Sequence, residues 1–344
     1  MPTPRAGAAV KAAGDRRCGH ADSRISHGIA AARLCRVTRR RDLARTIPAN
    51  AALRLDGAEL AGHAVISRIA RGGTSTVYLA EQVATGERVA IKALDPFFVG
   101  HADMVHRLLD EHALARRARH PGLLEIRCAE QTHEGIPYLV MEYLEGESLG
   151  ALAGRRAIPG AAIAPIAAQI ARALAALHAA GVVHCDLKLD NVLVLEDPAR
   201  PGGPRIKVID YSVARLVDDP PLPDGAVAGT PSVMAPEQWL GAPAPASDVY
   251  ALGCVLYELV TGGPVFTGAL PQLMTAHTER LPDRPSTRCP DLDPRLERLI
   301  VRALAKDPAL RPTMADLAAE LDRLAAASAL HPREVEDRRL EAAG

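Results

Sequence analysis

Between Leu60 and Leu94 the apolar positions fall in short, β-branched runs, whereas beyond Gly146 they recur at helical spacing. In the first part, Ala64-Val65-Ile66 leads into a glycine-containing turn and Thr76-Val77-Tyr78-Leu79-Ala80 follows. Thr85-Gly86-Glu87 reads as a turn, and Arg88-Val89-Ala90-Ile91-Lys92 closes the set. Residues 103–118 then take helical spacing (Met104, Leu108, Glu111, Ala115) until His120-Pro121-Gly122 ends the run. Two more strands are expected near Leu123–Cys128 and Pro137–Glu142. In the second part, Ile163, Ile166, Ile170, Leu174 and Leu177 mark a helix that Gly181 stops. Short strands at Val192–Leu195 and Ile206–Ile209 flank a Pro/Gly loop, residues 198–204. Helices are expected at Ser247–Leu259, Pro294–Ala305 and Thr313–Ala325. A small β-rich lobe with one helix, followed by a larger helical lobe, is an α+β architecture and not an alternating βαβ sheet.

Composition adds limits to this picture. With 48% hydrophobic and 24% charged residues among 344, the chain can bury a sizeable core, which excludes global disorder. Formal net charge is zero but uneven: residues 1–50 hold 11 Lys/Arg against 3 Asp/Glu. Residues 1–58, rich in Arg, Ala and Ser, read as a disordered or loosely helical extension, and a basic arm binding nucleic acid rests on them alone. Residues 326–344 read as a charged tail. Cys18, Cys35, Cys128, Cys185, Cys254 and Cys289 form no CxxC pair, the pattern of reduced thiols in a cytoplasmic protein. No apolar run is read as approaching the roughly 20 residues of a membrane helix. The longest, Val249 to Val260, reads as a core helix, and the N-terminus lacks an apolar signal core.

The candidate chemistry is phosphoryl transfer, which requires a held triphosphate, a fixed Mg²⁺ and an acceptor hydroxyl beside a carboxylate. Lys92 ends an apolar strand, the place for a cation facing phosphates, and Glu111 in the next helix is its expected partner. Asp110 is adjacent but belongs to another helix face. His184-Cys185-Asp186-Leu187-Lys188-Leu189-Asp190-Asn191 carries the strongest signal. Asp186 can accept or orient the hydroxyl proton, and Lys188 can neutralise charge on the γ-phosphate. Asn191 offers a neutral oxygen to the metal, and Asp210, after a Val/Ile strand, offers a charged one.

With these residues in order, the chain resembles the eukaryotic-like serine/threonine protein kinases of bacteria over about residues 60–325. Three further segments carry the resemblance: Gly229-Thr230-Pro231-Ser232-Val233-Met234-Ala235-Pro236-Glu237, Ser247-Asp248-Val249-Tyr250-Ala251-Leu252-Gly253, and Lys306-Asp307-Pro308 with Arg311-Pro312. The resemblance implies a two-lobed kinase domain over 59–325, with lobes at about 59–142 and 146–325. It implies ATP with Mg²⁺ or Mn²⁺, and protein substrates bearing Ser or Thr. Thr230 and Lys188 are the serine/threonine-type choices, and Glu237 with Arg311 would be a buried ion pair. The nucleotide would lie under Ile69, Ala70, Arg71, Gly72, Gly73, Thr74 and Ser75, against Val77, Ala90 and Leu193. Met141 would be the gatekeeper, with Glu142 to Leu144 forming the hinge.

The departures shape the functional expectation. Of the family's glycine loop only Gly72 is in place, since Ala70 and Ser75 replace glycines, although Gly73 returns some freedom. Cys185 stands where an arginine usually reads a phosphate on the activation loop. That loop, Val213 to Ala228, contains no Ser, Thr or Tyr, and carries Asp218, Asp219 and Asp224. Reader and site are both missing, so activation by loop phosphorylation is not expected. Asp210-Tyr211-Ser212 replaces DFG, Val233 replaces a tyrosine and Leu189 a proline. The competing readings are a pseudokinase acting as a nucleotide-binding scaffold, and a small-molecule phosphotransferase of the same fold.

Overall fold

Strand alternation decides which side chains of the first lobe face its helix and the cleft. The computed structural model of the chain describes residues 55, 57–195, 204–223 and 226–330. The expected N-terminal extension therefore lies almost wholly outside the described residues, as do residues 198–203 of the Pro/Gly loop, Asp224, and the tail beyond 330. The first lobe holds β1 (Glu59–Leu60), β2 (His63–Arg71), β3 (Ser75–Gln82), β4 (Arg88–Leu94), α1 (Ala102–Ala115), β5 (Ile126–Gln131) and β6 (Pro137–Glu142). Its strands make one antiparallel sheet in the order β1-β2-β3-β4-β6-β5. Val89, Ile91 and Ala93 of β4 join Tyr78, Ala80, Tyr138 and Val140 in a core on one face. Ala90 and Leu94 lie on the other, with Leu139 and Met141, against Leu108 and Leu114 of α1. Lys92 shares the parity of Ala90 and Leu94, so its side chain is sent toward the helix and the cleft.

The second lobe contains β7 (Glu147–Ser148), α2 (Leu149–Arg155), α3 (Gly160–Ala179), β8 (Val182–Val183), β9 (Val192–Leu195), β10 (Arg205–Val208) and β11 (Arg215–Leu216). Then come α4 (Pro236–Trp239), α5 (Pro245–Thr261), α6 (Leu270–Glu279), α7 (Pro294–Ala303) and α8 (Met314–Leu330). Helix α3 runs through the core and packs on α8 and α5. Left-handed glycines end two of the helices: Gly181 (φ 73°) follows α3, and Gly262 (φ 74°) caps α5.

Several expectations need correction. Helix α3 has 20 residues and a mean hydropathy of 1.5, long and apolar enough to cross a membrane by length and composition, contrary to the sequence reading. Its apolar surface is spent instead on the core: Ile163, Ile166, Ile170, Leu174 and Leu177 are all buried. Strand β5 begins at Ile126, not Leu123, because the backbone of 122–124 pairs elsewhere. Leu123 bridges Val208, Leu124 N–H donates to Val208 O (3.0 Å), and Val208 N–H donates to Gly122 O (2.8 Å). The last helices also differ: α7 ends at Ala303, and α8 continues past Ala325 to Leu330.

Glu237 and Arg311 form the anticipated pair across α4 and the segment before α8. Arg311 Nη1 donates to Glu237 Oε1 at 2.7 Å and Nη2 to Oε2 at 3.0 Å, a two-pronged fit. The remaining guanidinium donors reach the carbonyls of Ala305, Ala246 and Lys306, and Ser247 Oγ donates to Glu237 Oε1 (2.6 Å). The guanidinium also lies 4.9 Å from the Tyr250 ring centroid. With the arginine side chain fully buried, removing one partner leaves an uncompensated charge. Glu237→Gln is therefore expected to lower the unfolding free energy by about 3–5 kcal/mol, measured by urea denaturation. A loss below 1 kcal/mol would contradict this role for the pair.

Candidate active site

Lys92 is the meeting point of the two lobes. Its Nζ donates to both oxygens of Glu111 at 2.8 Å and to Asp210 Oδ1 at 3.3 Å. Glu111 is buried on α1, whereas Asp110 is exposed on another face, as helical geometry requires. Burial pulls the Lys92 ammonium down, but the two carboxylates, Glu111 foremost, outweigh it and hold its pKa above the ordinary value. Burial likewise pushes Asp210 up, yet Lys92 and the hydrogen bonds from Ser212 keep it below the usual carboxylate range.

The loop between β8 and β9 gathers the other reacting groups. Lys188 Nζ donates to Asp186 Oδ2 (2.9 Å) and to Thr230 Oγ1 (2.8 Å), joining this loop to the segment ahead of α4. Asn191 Nδ2 donates to Asp186 O (2.8 Å) and Oδ2 (3.1 Å). Asp186 Oδ1 is buried and unpaired among the described residues, an acceptor held in reserve beside Lys188. Ile209 N–H donates to Asn191 O (2.9 Å), which sets Asp210 next to the loop.

Asn191 and Asp210 suit a hard cation. Asn191 spends its NH₂ on Asp186, so its Oδ1 is available. Asp210 Oδ1 takes the bonds from Lys92 Nζ and Ser212 N–H. No group of three or more acidic, His or Cys side chains placed to hold a metal ion occurs among the described residues. Such sparse protein ligation is what Mg²⁺ uses when a substrate's phosphates complete its shell.

The residues expected around a nucleotide occupy the facing strands. Ala90 pairs with Met141 across β4 and β6, and Val77 pairs with Lys92 across β3 and β4. Met141 is buried, and Leu193 is half-buried on β9. Ile69 to Thr74 are exposed along the end of β2 and the following turn. That turn is braced from within: Gly72 N–H donates to Ser75 O, Asp95 N–H to Thr74 O (both 2.8 Å), and Arg71 pairs with Asp95 at 3.5 Å. Leu144 lies beyond β6, and the carboxylate of Glu142 is committed to buried Lys207 (2.5 Å) and to Glu125 N–H (2.7 Å).

The replaced residues fit their places. Tyr211 is buried and its hydroxyl donates to Leu124 O (3.4 Å). Ser212 does not need glycine's freedom, because the left-handed residue here is Asp210 (φ 70°). Cys185 is left-handed as well (φ 65°). Its conformation is fixed by Asp248, fully buried on α5 and named from sequence only as part of a motif. Asp248 accepts from His184 N–H (2.8 Å), Cys185 N–H (2.9 Å) and His178 Nε2 (2.7 Å). Gln238 Nε2 donates to Cys185 O (2.9 Å) and Ala228 O (3.4 Å), tying the loop to the segment ahead of α4. Asp248, Gln238 and Lys207 were not assigned roles from sequence. Only the apolar run around Asp248, in which a lone carboxylate must find donors, was a usable signal.

A family model described as a protein kinase domain matches residues 63–321. Serine/threonine-protein kinase Pkn1 of Myxococcus xanthus is 37% identical over 283 residues, 81% of this chain and 40% of the relative. Serine/threonine-protein kinase PknA of Mycobacterium tuberculosis is 36% identical over 265 residues, 74% of this chain and 59% of the relative. The chain thus spans about half the length of these curated relatives. The crystal structure of a double mutant of the Mycobacterium tuberculosis PknI kinase domain is similar at a TM-score of 0.62 and 25% identity, covering 80% of this chain and 99% of that one.

Asp248→Asn would turn an NH₂ toward N–H donors. The NH₂ can replace only one oxygen, Oδ2 with its bonds from His184 and His178 or Oδ1 with its bond from Cys185, so the expected loss is about 1.5–3 kcal/mol at about 1.5 kcal/mol for each bond to a charged acceptor. Denaturant unfolding gives the loss, and faster amide exchange at His184 or Cys185 would locate it; unchanged protection at both would contradict the clamp.

Proposed function

The chain belongs to the protein kinase family, and from that premise we propose that it transfers the γ-phosphate of ATP to serine and threonine hydroxyls of proteins. The observation carrying this reading is the joint placement of two sets of groups: Lys92 between Glu111 and Asp210, and Asp186 beside Lys188, Thr230 and Asn191. A scaffold with no reaction to perform has no need of both.

In this reading Lys92 holds the α- and β-phosphates while Glu111 fixes its direction. Magnesium, or manganese in its place, would be held by Asn191 and Asp210 and would supply charge neutralisation at the phosphates. Asp186 orients the incoming hydroxyl and takes its proton through the unpaired Oδ1. Lys188, already bonded to Asp186 and Thr230, offers its charge where negative charge collects on the transferred group. Cys185 in place of the phosphate-reading arginine, and a loop with no hydroxyl residue, support a kinase that does not depend on loop phosphorylation. The four described cysteines are free thiols, which supports a reducing, cytoplasmic setting.

Transfer of radiolabelled phosphate from ATP to a generic protein tests the proposal. Wild type should transfer phosphate in the presence of Mg²⁺ or Mn²⁺. Asp186→Asn should lose about 10²- to 10⁴-fold in kcat, the usual contribution of a positioned base, and Lys92→Met should be similarly impaired. ATP binding by wild type with no transfer to any acceptor would favour the pseudokinase instead.

A further inference from the structure

Residues 213–228 include no Ser, Thr or Tyr to phosphorylate, yet the stretch 215–220 is not slack. Strand β11 pairs with β8 directly before the catalytic loop, Arg215 opposite Val183, and Val217 N–H donates to Gly181 O at 2.9 Å. The chain then folds back on itself. Asp219 Oδ2 accepts from Leu216 N–H (2.9 Å), and Asp219 N–H donates to Leu216 O (3.2 Å). Arg215 Nη2 donates to Pro220 O, and its Nε stands 3.9 Å from Asp219 Oδ2.

An ordinary exposed i,i+4 pair would contribute little. This one differs in place and in the burial of its cation, while Asp219 itself is exposed (38%). The Arg215 side chain is only 16% exposed, and its Nη1 is buried with no acceptor among the described residues. A cation so placed requires a nearby anion, and Asp219 is the carboxylate that the fold sets beside it. The pair also sits at a junction. The Cys185 thiol, pushed up chiefly by burial, feels the charges of both Arg215 and Asp219. Asp110 on α1, raised chiefly by burial, feels Asp219 as well. Through β11 the pair is fastened to β8, which leads directly into the catalytic loop.

Resting on the kinase reading above, we infer that Asp219, held beside Arg215, supplies from within the chain the anion that a phosphorylated loop would otherwise bring, so that the segment keeps its active shape without covalent modification. Arg215 and Asp219 are then positioning residues. They act through β11 and the catalytic loop, and touch no reacting atom.

The test uses the full chain in the same transfer assay. Asp219→Asn and Arg215→Met should each lower kcat about tenfold, within the roughly 5- to 150-fold range of intramolecular couplings. KM for ATP should change far less, and the double variant should be no worse than either single one. Asp219→Glu, which keeps the anion, should recover most of the loss. Phosphatase treatment of wild type should leave kcat unchanged, a measurement independent of whether any variant folds. A folded Asp219→Asn with wild-type kcat would overturn the inference, as would a wild type that loses activity with phosphatase. In both cases the active wild type leaves the kinase reading standing; a wild type inactive from the outset would overturn that reading and the clip together.

Discussion

One ammonium group held between two carboxylates from different parts of the chain is what the site depends on. Lys92 comes from a strand, Glu111 from the helix behind it, and Asp210 from a segment 118 residues further on. Taking such ions out of water costs several kcal/mol each, so they stay charged only as a set. The set carries one more negative than positive charge, which leaves Asp210 suited to a further cation. Its pH behaviour follows from the three shifts. Asp210 is held below its ordinary 3.8, so its contribution is present above that value and is lost only as pH falls through the depressed one. Lys92 is held above its ordinary 10.5, so its contribution is present below that value and is lost only as pH rises through the elevated one. Glu111 runs the other way: burial raises it above its ordinary 4.5 against the pull of Lys92, so the trio is fully charged only above that raised value.

A second constraint shapes the catalytic loop. Cys185 and Asp210 both adopt left-handed backbone, which costs a non-glycine residue about 1–3 kcal/mol unless its surroundings impose it. Asp248 imposes it at Cys185 by accepting from two successive N–H groups, and Lys92 with Ser212 N–H does so at Asp210. Asp248 also binds His178 on α3, so the loop's shape is anchored in the core. The Glu237–Arg311 pair does the same for the segment ahead of α4, through Ser247 at the start of that same α5. One buried carboxylate, Asp248, and one half-buried, Glu237, thus hold the two segments of the second lobe between which Lys188 bonds.

Much of this was legible in the sequence because it is local. The alternation of Val89-Ala90-Ile91-Lys92 sends Lys92 to the cleft, and the spacing of Leu108 and Glu111 puts that carboxylate on the buried face. Pro137–Glu142 was legible to the residue, since its apolar run is continuous. What escaped were features that depend on distant partners or very short elements. Leu123 looked like the start of a strand because it is apolar, but its partner is Val208. Two-residue strands such as β8 and β11 carry no period, and α6 leaves Leu270 and Met274 exposed, blurring its apolar stripe. The bonds of Asp248 span 63 to 70 residues, and nothing near it in sequence announces them. Helix α3 was under-read as a possible span, its apolar length being apparent only once all 20 residues joined one helix.

The most direct test of the central claim is the Mg²⁺ dependence of phosphate transfer in wild type and Asp210→Asn. The variant keeps the shape of the side chain and removes the charge that Lys92 steadies. Wild type should show saturable Mg²⁺-dependent transfer, and the folded variant should show little at any Mg²⁺ concentration while still binding nucleotide through the first lobe. A variant with wild-type transfer and wild-type Mg²⁺ dependence would contradict the account.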